Sequence, residues 1–163
     1  MDLIDNIKRS KMAGVEFKRF KSAKGLDGRI WSADLYLNGR KLGELVVEGF
    51  GPLATNVSSD DVSAAATALK GAGYVLEAPD EEFPVPVPPG DFGYFETALG
   101  FMAAEVEDLK ALKKKAKVKT MFELTDGMCC EIKAPFTTLI GDQIRKEYGN
   151  RLKCITNEEL AAL

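Results

Sequence analysis

The dipeptide Asn38-Gly39 limits the fold more than any other feature of the chain. A two-residue type I′ turn needs positive φ at both central positions, and asparagine and glycine tolerate it best. The flanking residues alternate as strands do. Ile30 to Leu37 leads into the turn and Leu42 to Val47 leads out of it, while Val15, Phe17 and Phe20 suggest a strand before them. An antiparallel hairpin or meander is therefore expected near the N-terminus, after a short polar helix or arm over residues 1–14. Ser58-Ser59-Asp60-Asp61 then forms a helix N-cap cluster. The Ala-rich run Val62 to Lys70 is the helix, ended by Gly71 or Gly73, and Tyr74 to Leu76 reads as a short strand.

Five of the seven prolines fall between Pro79 and Pro89, which excludes helix and central strand there. The chain is thus read as one α+β domain of two lobes. A ββ(β)α lobe spans 15–78, a Pro-rich connector spans 79–90, and an αββαβ lobe spans 91–157. The second lobe opens with a long amphipathic helix whose stripe is Phe95, Leu99, Met102, Val106 and Leu109. That stripe serves either as core against the hairpins or, over residues 92–112, as a homodimer seam. A C-terminal hairpin turns at Thr125-Asp126-Gly127, a helix capped by Thr137 or Thr138 runs to Tyr148, and Arg151 to Thr156 is a last strand.

The chain has 163 residues and no histidine. Ser-His-Asp and Cys-His catalysis and imidazole-ligated zinc are excluded. Three cysteines without CxxC spacing make no Cys-only zinc site, and adjacent Cys129 and Cys130 are a poor disulfide pair, expected as buried free thiols on a strand. No metal or cofactor is expected. A histidine-free enzyme would have to use groups such as Lys41 or Asp34 with Glu44. Gly49-Phe50-Gly51-Pro52-Leu53-Ala54 matches a relaxed dinucleotide fingerprint. The next helix starts too late, however, and the preceding strand is a hairpin arm. The sequence offers no 18-residue apolar run and no signal-peptide pattern, so a cytoplasmic protein without membrane contact is expected.

Charge is segregated. Residues 74–109 hold nine acidic and no basic side chains: Glu77, Asp80, Glu81, Glu82, Asp91, Glu96, Glu105, Glu107 and Asp108. Residues 110–119 hold six lysines, of which Lys110, Lys113, Lys114 and Lys117 are the candidate phosphate contacts. Acids early and lysines late on the long helix are also what its macrodipole favours. The functional reading is an acidic surface offered to a protein partner. The alternative is nucleotide or nucleic-acid binding through the Gly49–Ala54 loop or the lysine tract, and the net charge of −3 weighs against nucleic acid.

Residues 29–51, with Leu35-Tyr36-Leu37-Asn38-Gly39 followed by Gly43 and Gly49-Phe50-Gly51, resemble the opening of uncharacterised small tailed-phage proteins. Glu147-Tyr148-Gly149 and Asn157 resemble the C-terminal end of that group. Val47-Glu48 and Pro52 depart from its pattern. The resemblance implies a phage or mobile-element origin and no established activity; small proteins of that origin often bind and block a host protein, so the expectation is a phage-encoded inhibitor of a host or defence component, acting in the host cytoplasm.

Overall fold

A computed structural model describes residues 3–26, 28–49, 51–76 and 90–163. It is an α+β protein built of two compact units, 1–105 and 106–163.

The first unit begins with helix α1 (Leu3–Met12), followed by β1 (Val15–Gly25), β2 (Gly28–Leu37), β3 (Arg40–Val47) and the two-residue β4 (Ala54–Thr55). These pair in the order β1-β2-β3-β4, each pair antiparallel. Asn38 and Gly39 have φ of 50° and 79°, the positive values that the β2–β3 turn requires. Helix α2 (Ser59–Gly71) starts at Ser58, whose hydroxyl accepts from Asp61 N. It ends in a Schellman motif: Tyr74 N donates to Leu69 O and Gly73 N to Lys70 O. Gly73 supplies the left-handed residue at φ 69°, and the motif sends the Tyr74 ring back beside Leu69 into the core.

Helix α3 (Gly90–Ala116) crosses the division between the units. Its Phe95, Ala98, Leu99, Met102 and Ala103 are buried with Val15, Trp31, Leu35, Leu45, Ala65 and Leu69. The lobe boundary expected in the 79–90 connector is thus displaced to residue 105. The reason is packing: the first half of the long helix covers the N-terminal sheet. For the same reason Phe95, Leu99 and Met102 of the 92–112 stripe are core of this chain. The connector itself, Gly90 apart, lies outside the described residues.

Tyr74 to Leu76 is not a strand. The Asn6 side chain replaces a neighbouring strand there: Val75 N donates to Asn6 Oδ1 (3.0 Å) and Asn6 Nδ2 donates to Val75 O (3.2 Å). Asn6 Nδ2 also donates to Glu105 Oε1 (2.5 Å), and the Tyr74 hydroxyl donates to Glu105 Oε2 (2.9 Å). Burial, and then the Glu105 carboxylate, push the Tyr74 phenol well above its ordinary pKa. A buried polar network with its bonds made fixes one arrangement of α1 on α3.

The second unit holds a three-stranded antiparallel sheet in the order β6-β5-β7, from β5 (Thr120–Leu124), β6 (Cys129–Ile132) and β7 (Leu152–Ile155). Helix α4 (Thr138–Tyr148) is capped by Thr137, whose hydroxyl accepts from Ile140 N. Phe122, Leu124, Ile144 and Ile155 form its core. A short helix α5 (Thr156–Ala161), not anticipated from the sequence, follows β7. Its Asn157 accepts from Met121 N (2.7 Å) and donates to Ala116 O (3.1 Å) and Lys119 O (3.0 Å), tying α5 to β5 and to the end of α3.

Candidate functional site

Two places gather chemistry, one in each unit. On the first, two β-bulges aim cations at a single carboxylate. Lys18 pairs with Asp34 and Lys21 with Ser32, so Arg19 and Phe20 together oppose Ala33. The extra residue shifts the side-chain phase. Phe20 joins Phe17 and Trp31 in an aromatic group on the core side, with centroids 5.7–6.1 Å apart. Arg19, at φ 52°, turns to the outer face and ion-pairs with Asp34. On β3 the register shifts between Gly43 and Lys41, which puts Lys41 and Glu44 on that same face despite a spacing of three. Lys41 Nζ lies 3.0 Å from Asp34 Oδ1 and 3.0 Å from Glu44 Oε1.

Asp34 is only 5% exposed. The hydrogen bond from Lys41, then that from Arg19, hold its carboxyl below the ordinary aspartate range against desolvation. The Asp34 bond in turn raises Lys41 and Arg19. The structure therefore joins Lys41, Asp34 and Glu44, and adds Arg19, beside an open hollow of about 310 Å³. These shifts run against catalysis. A general base needs a pKa near the working pH, and a lysine nucleophile needs one that is lowered. The group is an ionic network that neutralises two carboxylates facing each other across β2 and β3.

A pH test follows from the sign of the Asp34 shift. Because the folded pKa lies below the unfolded value, the stabilisation is fully present above about pH 4 and is lost as pH falls through the folded value. Asp34→Asn should be less stable than wild type at pH 7, with the gap closing as pH falls through the folded Asp34 pKa in urea denaturation. A gap that does not change with pH would mean that Asp34 acts through packing rather than charge.

The second place is a groove between β6 and α4. Its floor is Phe122, Cys130 and Ile132 on the sheet and Ile140, Ile144 and Tyr148 on the helix. Glu131, Gln143 and Glu147 also line it, and its volume is about 470 Å³, within the range of ligand pockets. Helix α5 packs on the β5–β7 side, where Arg145 bridges α4 to Glu158 at 2.6 Å, while the β6 side stays open.

β6 is also a free edge. Leu124 N donates to Met128 O, and the antiparallel alternation then makes Phe122–Cys130 and Thr120–Ile132 the hydrogen-bonded pairs. The backbone N–H and C=O of Cys129 and Glu131 consequently point away from β5. No backbone bond among the described residues takes them up. Cys129 is exposed and Cys130 half-buried, where the sequence suggested buried thiols.

Of the nine residues expected to form an acidic surface, three have other duties. Glu105 is 8% exposed and belongs to the Asn6 network, which removes it from any surface. Glu96 accepts from Leu53 N (2.9 Å), and Asp91 pairs with Lys70 (3.0 Å). Glu107 is half-buried and Asp108 exposed. Glu77, Asp80, Glu81 and Glu82 lie outside the described residues. In the lysine tract, Lys110, Lys113, Lys114 and Lys117 are exposed, whereas Lys115 and Lys119 both ion-pair with Glu131. The Gly49–Ala54 loop joins antiparallel strands and has the Glu96 carboxylate on its Leu53 amide, an arrangement that repels phosphate.

Among the described residues no cluster of three or more Cys, Asp or Glu side chains is placed to hold a metal ion. Nor is any helix among them long and apolar enough to cross a membrane. The chain matches no protein-family model, no curated protein and no solved structure.

Proposed function

We propose that this chain is a non-enzymatic protein-binding protein that receives an extended segment of its partner along the free edge of β6. The observation that carries this reading is the coincidence of the outward backbone groups of Cys129 and Glu131 with an apolar groove on the same flank of the sheet. Strand addition draws affinity from main-chain hydrogen bonds and specificity from pockets for alternate side chains, and the flank offers both. A short, charged or proline-bearing edge guards a sheet against such pairing. β6 is short, but it holds no proline, and Lys115 and Lys119 neutralise its one charge, Glu131. The sequence resemblance implies a phage or mobile-element origin, and in that setting a host or defence component is the partner proposed.

Peptides selected from a random display library on the immobilised full chain test this reading. Bound peptides should slow amide exchange at Cys129 and Glu131 at least about tenfold, since each new edge bond protects its amide. They should also slow alkylation of Cys130. Glu131→Pro removes an outward donor without touching the β5–β6 ladder, and should abolish binding in a protein that is still folded by circular dichroism. No selected binder, or binders that leave both amides unprotected, would sink the proposal.

A further inference from the structure

Resting on the strand-addition reading, we infer that the partner segment is antiparallel to β6 and carries an apolar residue followed two positions later by a lysine or arginine.

The groove has two unlike ends. Phe122 lies opposite Cys130, and its ring centroid is 5.0 Å from that of Tyr148. The Cys130 end of β6 therefore lies beside the last turn of α4. The connection from Ile132 to α4 is five residues, 133–137, so the Ile132 end lies beside the first turn, where Ile140 lines the groove. Helical spacing of four places Leu139, Gln143 and Glu147 in one row beside the inward row Ile140, Ile144 and Tyr148. Gln143 and Glu147 line the groove, which sets that row on its open side.

One end is thus apolar. Ile132, which lines the groove, is 37% exposed, and Leu139, one turn before Gln143 on α4, is 69% exposed. The other end carries Glu147, an exposed carboxylate with no ion pair to any described residue. The second lining carboxylate, Glu131, is already neutralised: Lys115 and then Lys119 hold its carboxyl below the ordinary glutamate range. Charge complementarity therefore asks for a cation at the Glu147 end alone.

The ladder sets the spacing. Residues of an added strand that sit opposite Ile132 and Cys130 are two apart and point to the α4 side. The sheet is antiparallel throughout, and antiparallel pairing is the more stable per residue. An antiparallel partner meets Ile132 first and Cys130 second, which gives the order apolar, any residue, basic. A basic side chain opposite Cys130 has the stem to reach Glu147 across the mouth while its methylenes cover Tyr148.

Three blocked heptapeptides, T-T-L-T-K-T-T, its order-reversed form T-T-K-T-L-T-T, and T-T-L-T-E-T-T, test this by NMR titration of the full chain. The first should bind about threefold to fivefold tighter than either of the others, the scale of a partly exposed ion pair. Glu147→Lys, on the exposed face of α4, should invert the preference between the lysine and glutamate peptides. If all three bind wild type and Glu147→Lys alike while shifting the β6 amides, the partner inference fails and strand addition stands. If none shifts the Cys129 and Glu131 amides although display-selected peptides do, the apolar-any-basic pattern is wrong. If even selected peptides leave those amides unmoved, the strand-addition reading itself falls. A concentration-dependent dimer of the wild type, lost in Glu131→Pro, would assign the edge to a second copy of this chain and overturn the inference.

Discussion

Asn6→Ala should lower the stability of the 1–105 unit by about 3 kcal/mol, the expected cost of stranding several buried or part-buried polar groups. Asn6 is fully buried. Its loss leaves Val75 N–H, Val75 C=O and one oxygen of Glu105 without the partner they have now. The informative comparison is Asn6→Asp, nearly the same in shape. It can still accept from Val75 N but cannot donate to Val75 O, and it sets a carboxylate against Glu105. At pH 7 it should be at least as damaging as alanine. Trp31, the only tryptophan, sits in the core of the same unit and reports the transition by fluorescence in urea. An Asn6→Asp protein as stable as wild type would show that the side chain serves only to fill space.

A second asparagine does comparable work in the other unit. Asn157→Ala should cost the 106–163 unit about 3 kcal/mol, because Met121 N–H, Ala116 C=O and Lys119 C=O lose one shared partner. The Ala116 carbonyl is among the last of α3, where helix ends need an outside donor. Amide exchange at Met121 and Phe122 reads the loss directly, and protection there should fall by roughly a hundredfold. Asn157→Asp keeps the acceptor for Met121 N but turns a carboxylate toward two carbonyls, and should not rescue protection. Undiminished protection in Asn157→Ala would mean that water or a neighbouring group can stand in for the amide.

The features legible in the sequence were those whose chemistry is local. Asn38-Gly39, the Ser58 and Thr137 caps and the glycine closing α2 each act on backbone within a few residues, so a short window contains the whole cause. The α3 stripe was legible as an apolar face, but not for which strands it covers. Helix α5 has one and a half turns and no side-chain cap bond, too little for periodicity to register. The Tyr74–Leu76 stretch has strand composition, yet its hydrogen-bonding partner is one amide on α1, and no local pattern encodes that.

The candidate sites divide in the same way. Asp34, Lys41 and Glu44 lie within one hairpin and could be named together from spacing. Arg19 joins them only because a bulge changes the phase of β1, and a bulge depends on the strand opposite. The acidic run was legible as charge, but Glu96 and Glu105 are committed to partners 43 and 99 positions away. The β6 groove had no sequence signal of its own. It exists because α4 and α5 cover one flank of a three-stranded sheet and leave the other bare.

The Asn6 network also has a place in time. Its bonds close loops of 69 and 99 positions, to Val75 and to Glu105, and bringing such distant segments together is entropically costly until the sheet and α3 are in place. It is therefore expected to form after the rate-limiting step. Its loss should leave the folding rate nearly unchanged and raise the unfolding rate by roughly a hundredfold. On that expectation Asn6 is a latch on unfolding, contributing lifetime more than speed of assembly.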